Sequence, residues 1–411
     1  MKQPEPGGQG GVAWARRDAF ASLLAAPVHF PRTHRRRAAL RVAERSIALV
    51  PQQQRAERFL SACRRQPADC TPVWIMRQAG RYLPEYRKLR EKHGFLEIAR
   101  NPDLVATVTL MPLKRIELDA AIIFADIALP LAGIGVSFRL EENVGPVIDP
   151  PIRAEEQIRA LREFDPQRDV PYVIEGITLV KRELAGKLPL IGFSGAPFTL
   201  ASYLVEGRGK RDFRRTKTLM YSRPDLWNAL MDRLTDTVIR YLRAQVASGA
   251  QALQLFDSWV GSLSPEDYER FVQPFSARIF REMEGAGVPI IHFGTDTATL
   301  LERMAEAGGD VMGVDWRIPL DAAWQRIGPG RAIQGNLDPC VLLGPASVVK
   351  ERAALILQRA AGRPGHIFNL GHGIHPDTPV ENVQLLVEFV HERTGGGEGG
   401  PPREREPEGR G

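Results

Sequence analysis

The feature that most constrains the fold is a repeated unit: a short apolar run ends in glycine or a polar residue, and a longer amphipathic segment follows. The runs occupy residues 121–125, 188–193, 252–256, 289–293, 311–314, 331–334 and 366–370. Continuous apolar runs without alternation are typical of parallel strands that are buried on both faces. Seven such units and one further doubtful strand predict an α/β fold and favour a single (β/α)8 TIM barrel.

A doubly wound parallel sheet would use the same units, so periodicity alone leaves both architectures open. No run is followed by a glycine-rich phosphate loop. In a barrel the residues that follow the strands carry the chemistry. Here they form a polar, acid-rich series that begins at Asp126 and ends at His372.

Two of the intervening segments carry clear helical patterns. Residues 223–248 place apolar side chains at helical spacing. Residues 264–285 open with Ser264 before Pro265 and two acids, which is a typical helix start, and Gly285 and Gly287 are expected to end the helix. We therefore predict one helix over each segment.

Composition excludes several classes of protein. The 411 residues are 43% hydrophobic and 25% charged, which allows a sizeable core and excludes a wholly disordered chain. The three cysteines, Cys63, Cys70 and Cys340, are odd in number and include no CxxC pair. A disulfide framework and a zinc ribbon are therefore disfavoured, and a reducing cytoplasm fits best.

The charge is concentrated at one end of the chain. Residues 1–50 carry nine basic and three acidic side chains, which accounts for the whole net charge of +6, so the remainder is neutral. A nucleic-acid-binding body thus loses its main support. We interpret 1–50 as a basic, disordered extension, with a targeting segment or a nucleic-acid arm as alternatives. We predict a barrel over 51–394 and a disordered tail over 395–411.

The densest polar segment is 72–86. Arg77 and Arg81 lie four residues apart with Gly80 between them, and Arg90 follows. Two guanidinium groups at this spacing can face one ligand and bind carboxylates or phosphates bidentately. The alternative is a solvated helical face on which arginines pair with Glu85 or another acid.

Asp126 is the only charged residue between Ala120 and Val136. A membrane span is disfavoured, because the stretch is short and contains proline and glycines. A carboxylate in such surroundings is costly unless donors surround it. Either it caps the following helix or pairs with an arginine, or it awaits N–H donors from a ligand.

Five other polar residues merit interpretation. Ser194 lacks the spacing of a nucleophile elbow. Tyr203 can reach a cleft or lie buried in the core, and Ser258 is placed to cap a helix. His372 lies between two glycines, which permit close approach of a ligand. His292 is expected in the core, and no His, Cys or Asp residues show convincing metal-ligand spacing.

Taken together, these segments resemble the uroporphyrinogen decarboxylase family. The two most specific matches are 77–86 and 192–207, which resemble that family's two signatures. Further matches follow in order at 122–126, 254–261, 313–317, 334–339 and 369–374, and the resemblance covers roughly residues 55–393.

The resemblance implies a single distorted (β/α)8 barrel, a homodimer, and removal of CO2 from the four acetate side chains of uroporphyrinogen without cofactor or metal. It implies Asp126 and Arg77 as catalytic residues, with Asp126 accepting the pyrrole N–H groups. The implied substrate-binding residues are Arg77, Gln78, Ala79, Gly80, Arg81, Arg90, Asp126, Tyr203, Ser258 and His372.

Two rival functions stay open at this point. A corrinoid or thiol methyltransferase shares the barrel in related families, but it needs zinc ligands at strand ends. Here the run 292–294 is followed by no nearby cysteine, and Cys340 stands alone. A non-enzymatic nucleic-acid binder would depend on the basic extension alone.

Overall fold

The computed structural model describes residues 52–141, 145–209 and 212–395. The predicted extension 1–50, and all of the predicted tail except Gly395, lie outside the described residues. No helix in these ranges is both long enough and apolar enough to cross a bilayer.

A seven-stranded parallel sheet forms the centre of the fold, with strand order β1-β4-β5-β6-β7-β8-β9. A separate antiparallel hairpin, β2–β3, has no counterpart in the sequence analysis. The strands are β1 Ala121–Ile122, β2 Phe138–Glu141, β3 Gly145–Ile148, β4 Leu190–Gly195, β5 Ala252–Asp257, β6 Ile290–Gly294, β7 Val311–Gly313, β8 Ala332–Gln334 and β9 His366–Ile367. Each of the seven predicted runs supplies one strand of the parallel sheet, which confirms the α/β prediction.

The eighth barrel position is occupied by an extended segment at Val73. Val73 pairs in parallel with Phe368, just past β9, and the Phe368 N–H donates to the Pro72 carbonyl at 2.9 Å. On the other side, the Asp119 N–H donates to the Val73 carbonyl at 2.8 Å. This segment bridges the two edge strands and curls the sheet into a distorted barrel, as expected for a fold without free edges.

Helices follow the strands and cover the sheet. They are α1 Gln52–Cys63, α2 Pro84–Arg90, α3 Phe95–Ala99, α4 Pro102–Leu110, α5 Leu129–Gly133, α6 Glu155–Arg159, α7 Pro166–Asp169, α8 Pro171–Leu184, α9 Pro197–Glu206, α10 Arg214–Ser222, α11 Pro224–Ala247, α12 Pro265–Phe271, α13 Gln273–Glu282, α14 Leu301–Ala307, α15 Leu320–Ile327, α16 Ala346–Ala360 and α17 Val380–Thr394. Short 3-10 turns occupy Pro112–Lys114, Val260–Ser262 and Pro339–Leu343.

One predicted helix is divided in two. The helix over 223–248 is confirmed as α11, but 264–285 forms α12 and α13, which are separated at Val272. Pro274 explains the break, because proline has no N–H and its ring clashes with the carbonyl four residues earlier. The start is as predicted: the Ser264 hydroxyl accepts the Asp267 N–H at 3.1 Å.

Polar side chains cross the barrel interior. Gln334 on β8 donates to Gln254 on β5 at 3.0 Å, and Trp74 donates to Gln334 at 2.9 Å. Because β5 and β8 are separated by two strands in the sheet, these hydrogen bonds span the interior and tie the closing segment to both strands.

A buried charge network fixes the closing segment from outside. The fully buried Asp119 carboxylate accepts the Val73 N–H at 2.7 Å and contacts Arg58 at 2.6 Å and His391 at 2.7 Å. Arg58 also pairs with Asp69. The network joins α1, β1 and α17 around the residue that completes the barrel.

Removing Arg58 is expected to destabilise the fold strongly. Arg58→Leu should lower the free energy of unfolding by about 3–5 kcal/mol, because it leaves the Asp119 charge buried with fewer partners. Arg240→Leu is the control, since Arg240 pairs with Glu163 at an exposed site and should cost less than about 1 kcal/mol. Equal losses in urea unfolding would contradict this role of the network.

Acid is also expected to destabilise the fold. Burial lowers the pKa of His292 and of His366 to about 4, whereas a histidine in an unfolded chain titrates at about 6.5. The unfolded state therefore binds more protons between these values, so stability is fully present above about pH 6.5 and is lost as the pH falls towards 4. Urea unfolding should show this loss, and His366→Gln should reduce it. An unchanged pH dependence in His366→Gln would contradict the assignment.

Candidate active site

A cavity of about 690 Å³ lies where the strands of the barrel end. Its lining includes residues that follow β1, β4, β5 and β9, together with the β2–β3 hairpin. Nine of the ten residues singled out from the sequence line it: Arg77, Ala79, Gly80, Arg81, Arg90, Asp126, Tyr203, Ser258 and His372. One cavity thus brings together segments that lie up to about 300 residues apart in the chain.

Gln78 is the exception. It is fully buried and is not among the cavity-lining residues. Its amide donates to the Ala120 carbonyl at 3.1 Å, and its Oε1 accepts the Ile75 N–H at 3.1 Å. Gln78 therefore anchors the segment that carries Arg77 and Arg81 to the residue before β1, and its side chain does not face the cavity.

The backbone at Arg77 adopts an uncommon conformation. Its φ of 65° lies in the left-handed region, which costs a non-glycine residue free energy and is concentrated at functional sites. The Arg77 side chain passes directly over Gly373, where an added Cβ would lie 2.4 Å from the Arg77 Cδ. Gly80 also has no room for a side chain, because an added Cβ would lie 2.8 Å from the Arg77 carbonyl oxygen.

Arg90 stands at the same cavity but on α2. Its guanidinium lies 5.9 Å from the centroid of the Phe95 ring, and its Nε is buried without a hydrogen-bond partner among the described residues. An aromatic face and an unsatisfied donor together leave Arg90 able to bind an anion. With Arg77 and Arg81, it gives the cavity three guanidinium groups.

Asp126 both forms a local cap and faces the cavity, which are two of the alternatives that the sequence left open. Its Oδ1 accepts the Ala128 N–H at 2.8 Å, so it caps the following turn, and it also lines the cavity. Withdrawal from water raises its pKa, while the Ala128 N–H and the positive charge of Arg77 oppose that rise. The carboxylate is thus oriented by a nearby backbone N–H, and the positive charge of Arg77 stabilises its charged form.

Tyr203 and His372 supply neutral polar groups. Burial, and secondarily the charge of Asp126, raise the pKa of Tyr203, which keeps its hydroxyl protonated. Its ring lies 4.0 Å from that of Trp259, centroid to centroid. Burial and the nearby Arg77 charge lower the pKa of His372 to about 4. His372 is therefore uncharged at neutral pH and offers a hydrogen bond, not a positive charge.

Apolar side chains form much of the remaining wall, and the sequence analysis did not identify them as site residues. Phe193 and Phe256 meet edge to face with centroids 5.5 Å apart. The signal for them is their position in the C-terminal half of a strand run, where alternate side chains reach the mouth of a barrel. The unpredicted lining residues include Tyr86, Ile122, Phe124, Glu141, Phe193, Phe256, Ile374 and His375.

The arrangement suits an apolar ligand with several acidic arms. The arginines can bind carboxylates at the periphery, while a single carboxylate stands among apolar walls where electrostatic interactions are strong. Within the described ranges, no group of three or more His, Cys, Asp or Glu residues is arranged to hold a metal ion.

Comparison with known proteins gives consistent matches. A family model described as uroporphyrinogen decarboxylase (URO-D) matches residues 54–393. Proteins named uroporphyrinogen decarboxylase from Sorangium cellulosum and Carboxydothermus hydrogenoformans are 57% and 54% identical to the chain. They cover 82% and 81% of it and 96% and 95% of their own lengths.

A solved structure supports the fold alone. A methyltransferase from Methanosarcina mazei superposes with a TM-score of 0.67 at 23% identity, over 82% of this chain and 98% of its own. At 23% identity this likeness shows the fold and gives no evidence of function. The methyltransferase alternative is not favoured, because the relatives named uroporphyrinogen decarboxylase are more than 50% identical to the chain. On the match over residues 54–393 and on these relatives, the chain belongs to the uroporphyrinogen decarboxylase family.

Proposed function

We propose that the protein removes CO2 from the four acetate side chains of uroporphyrinogen III and releases coproporphyrinogen III. The observation that carries the proposal is the single cavity in which Arg77, Arg81 and Arg90 accompany one carboxylate, Asp126, among apolar walls. Family membership supports the same carboxy-lyase activity.

The arginines hold the substrate's acidic arms. Uroporphyrinogen carries eight carboxylates, and the three guanidinium forks bind some of them in defined orientations. Ser258, Tyr203 and His372 add neutral hydrogen-bonding groups, and the backbone of Ala79 and Gly80 lines the same region. Binding of the arms presents one acetate at a time to the reacting position.

Asp126 accepts the pyrrole N–H groups and stabilises the cation that forms during reaction. A proton added to a ring carbon turns the pyrrole into a cation, which accepts the electron pair released when the bond to CO2 breaks. The side-chain carbon then gains a proton and the ring carbon loses one, so each carboxylate is replaced by hydrogen. A fixed carboxylate beside the cation contributes several kcal/mol to such a step.

The source of the ring proton has three candidates. Arg77 lies at the cavity and is the family-implied donor, but a guanidinium is a poor acid because it stays protonated in proteins. A substrate carboxyl group or a water molecule can act instead. With any of these donors, Arg77 orients the substrate and balances the charge of Asp126.

The proposal extends to assembly, location and boundaries. We expect a cytoplasmic homodimer. We expect no nucleic-acid partner, because the charge excess is confined to residues 1–50. Sedimentation velocity tests the dimer. Residues 51–394 are expected to carry the activity, with 1–50 and 395–411 dispensable.

Asp126→Asn should lower kcat for uroporphyrinogen by about 10²–10³-fold, because the amide removes the charge that stabilises the cation. The KM should change little, since the arms are bound elsewhere. Asp165→Asn is a matched control: Asp165 also accepts the N–H two residues on, at 3.0 Å, but lies outside the cavity lining. Normal turnover by Asp126→Asn would refute the role of the carboxylate.

Gly373→Ala should raise the KM for uroporphyrinogen by roughly tenfold, which corresponds to about 1.4 kcal/mol. The added methyl group would displace the Arg77 side chain. Gly330→Ala is the control, because an added Cβ there meets no atom within 4 Å. Steady-state kinetics on both variants checks the prediction, and an unaltered KM in Gly373→Ala would show that the Arg77 position does not matter for binding.

A further inference from the structure

A buried carboxyl group lies directly behind the cavity wall and has no part in the chemistry above. Asp257 is the last residue of β5 and is fully buried. Its neighbours Phe256 and Ser258 both line the cavity. Because side chains alternate along a strand, Asp257 faces the helical layer. There the Thr199 hydroxyl, on α9, donates to its Oδ1 at 2.9 Å.

Helix α9 begins without a side-chain cap of its own. Its N-cap residue is Ala196, which has no side-chain acceptor, and its first residue is Pro197. The Thr199 N–H belongs to the group of N–H donors that a helix start leaves without intrahelical partners. Burial raises the pKa of Asp257 to about 7, and the Thr199 hydroxyl and N–H oppose that rise. The strand residue Asp257 thus supplies the cap that α9 lacks.

Two flanking contacts join the same strand end to the same helix. The Ala196 N–H donates to the Phe256 carbonyl at 2.9 Å. One helical turn after the capped residue, Tyr203 packs on Trp259 with ring centroids 4.0 Å apart. The Asp257 contact lies between these two and is the only one of the three that involves a buried carboxyl group.

The carboxyl group of Asp257 depends on this one helix for its partners. Its Oδ2 has no hydrogen-bond partner within the described part of the chain. Tyr268, on α12, is the other ionisable group facing it, and the Asp257 charge helps to raise the pKa of Tyr268. Loss of the Thr199 hydroxyl would therefore leave a buried carboxyl group nearly unsatisfied, which favours movement of α9 away from β5.

We propose that Asp257 and Thr199 form a positioning pair for the substrate-binding wall. By capping α9 from the end of β5, the pair fixes Tyr203 relative to Ser258. The inference rests on the proposed function, in which Tyr203 and Ser258 contact uroporphyrinogen.

The test compares two buried threonines whose hydroxyl groups each donate a hydrogen bond to a buried carboxyl group. Thr216, at the start of α10, donates to the buried carboxylate of Glu206 at 3.0 Å. Glu206 is the last residue of α9, so this bond holds the far end of the same helix, and neither residue lines the cavity. Thr199→Val and Thr216→Val each remove one hydroxyl and should lower the melting temperature by similar amounts. Only Thr199→Val should raise the KM for uroporphyrinogen, by about tenfold, with kcat within about twofold of the unsubstituted chain.

Thr199→Ser keeps the hydroxyl and should restore the KM. If Thr199→Val fails to fold, Thr199→Ala removes the same hydroxyl without adding a methyl group and takes its place. Equal KM values in the Thr199 and Thr216 variants would overturn the positioning role alone. Failure of the unsubstituted chain to decarboxylate uroporphyrinogen would overturn both the proposed function and this inference.

Discussion

The closure of the barrel at Val73 is the constraint on which the site depends. Val73 is held on one side by Phe368 and on the other by the backbone and carboxylate of Asp119. A buried carboxylate is costly, and here three donors compensate for its desolvation. Four residues after Val73 the chain reaches Arg77, so the network that completes the barrel also determines where the first arginine stands.

In the site itself, burial and nearby charge have opposite effects on the pKa of the one central carboxylate. The strand ends surround one carboxylate with apolar walls, which raises the pKa of Asp126, while the positive charge of Arg77 opposes that rise. The left-handed backbone of Arg77 is a local cost, which the surrounding contacts of Gln78 with Ala120 and Ile75 offset. Preorganisation of this kind is what a reaction with a cationic intermediate requires.

The sequence predicted the parts of the fold that follow from local pattern. All seven apolar runs supply strands of the parallel sheet, and α11 has nearly the predicted bounds, because burial on both faces and helical spacing leave a direct signal. The sequence predicted a doubtful eighth strand but did not locate it, because Val73 pairs over only one residue on each side. The split at Val272 does not follow from periodicity, because the helical pattern continues across Pro274 although the backbone cannot.

The site residues, like the strands, could be predicted only where the sequence carries a local signal. Glycines and lone charges marked Gly80, Asp126 and His372, since such residues are conspicuous in a sequence. Gln78 turned inward, because a buried amide needs partners and Ala120 and Ile75 provide them. The aromatic wall of Phe193 and Phe256 was hidden within ordinary strand runs, and only the three-dimensional structure shows that these rings face a ligand cavity.

Whether the protein decarboxylates uroporphyrinogen without an added cofactor is tested most directly by counting carboxyl groups. Purified protein, freed of small molecules by dialysis against a chelator, is incubated anaerobically with uroporphyrinogen, and the porphyrins are resolved after oxidation. The account predicts passage through species with seven, six and five carboxyl groups to a product with four. Substrate that keeps all eight carboxyl groups in the presence of folded protein would contradict it.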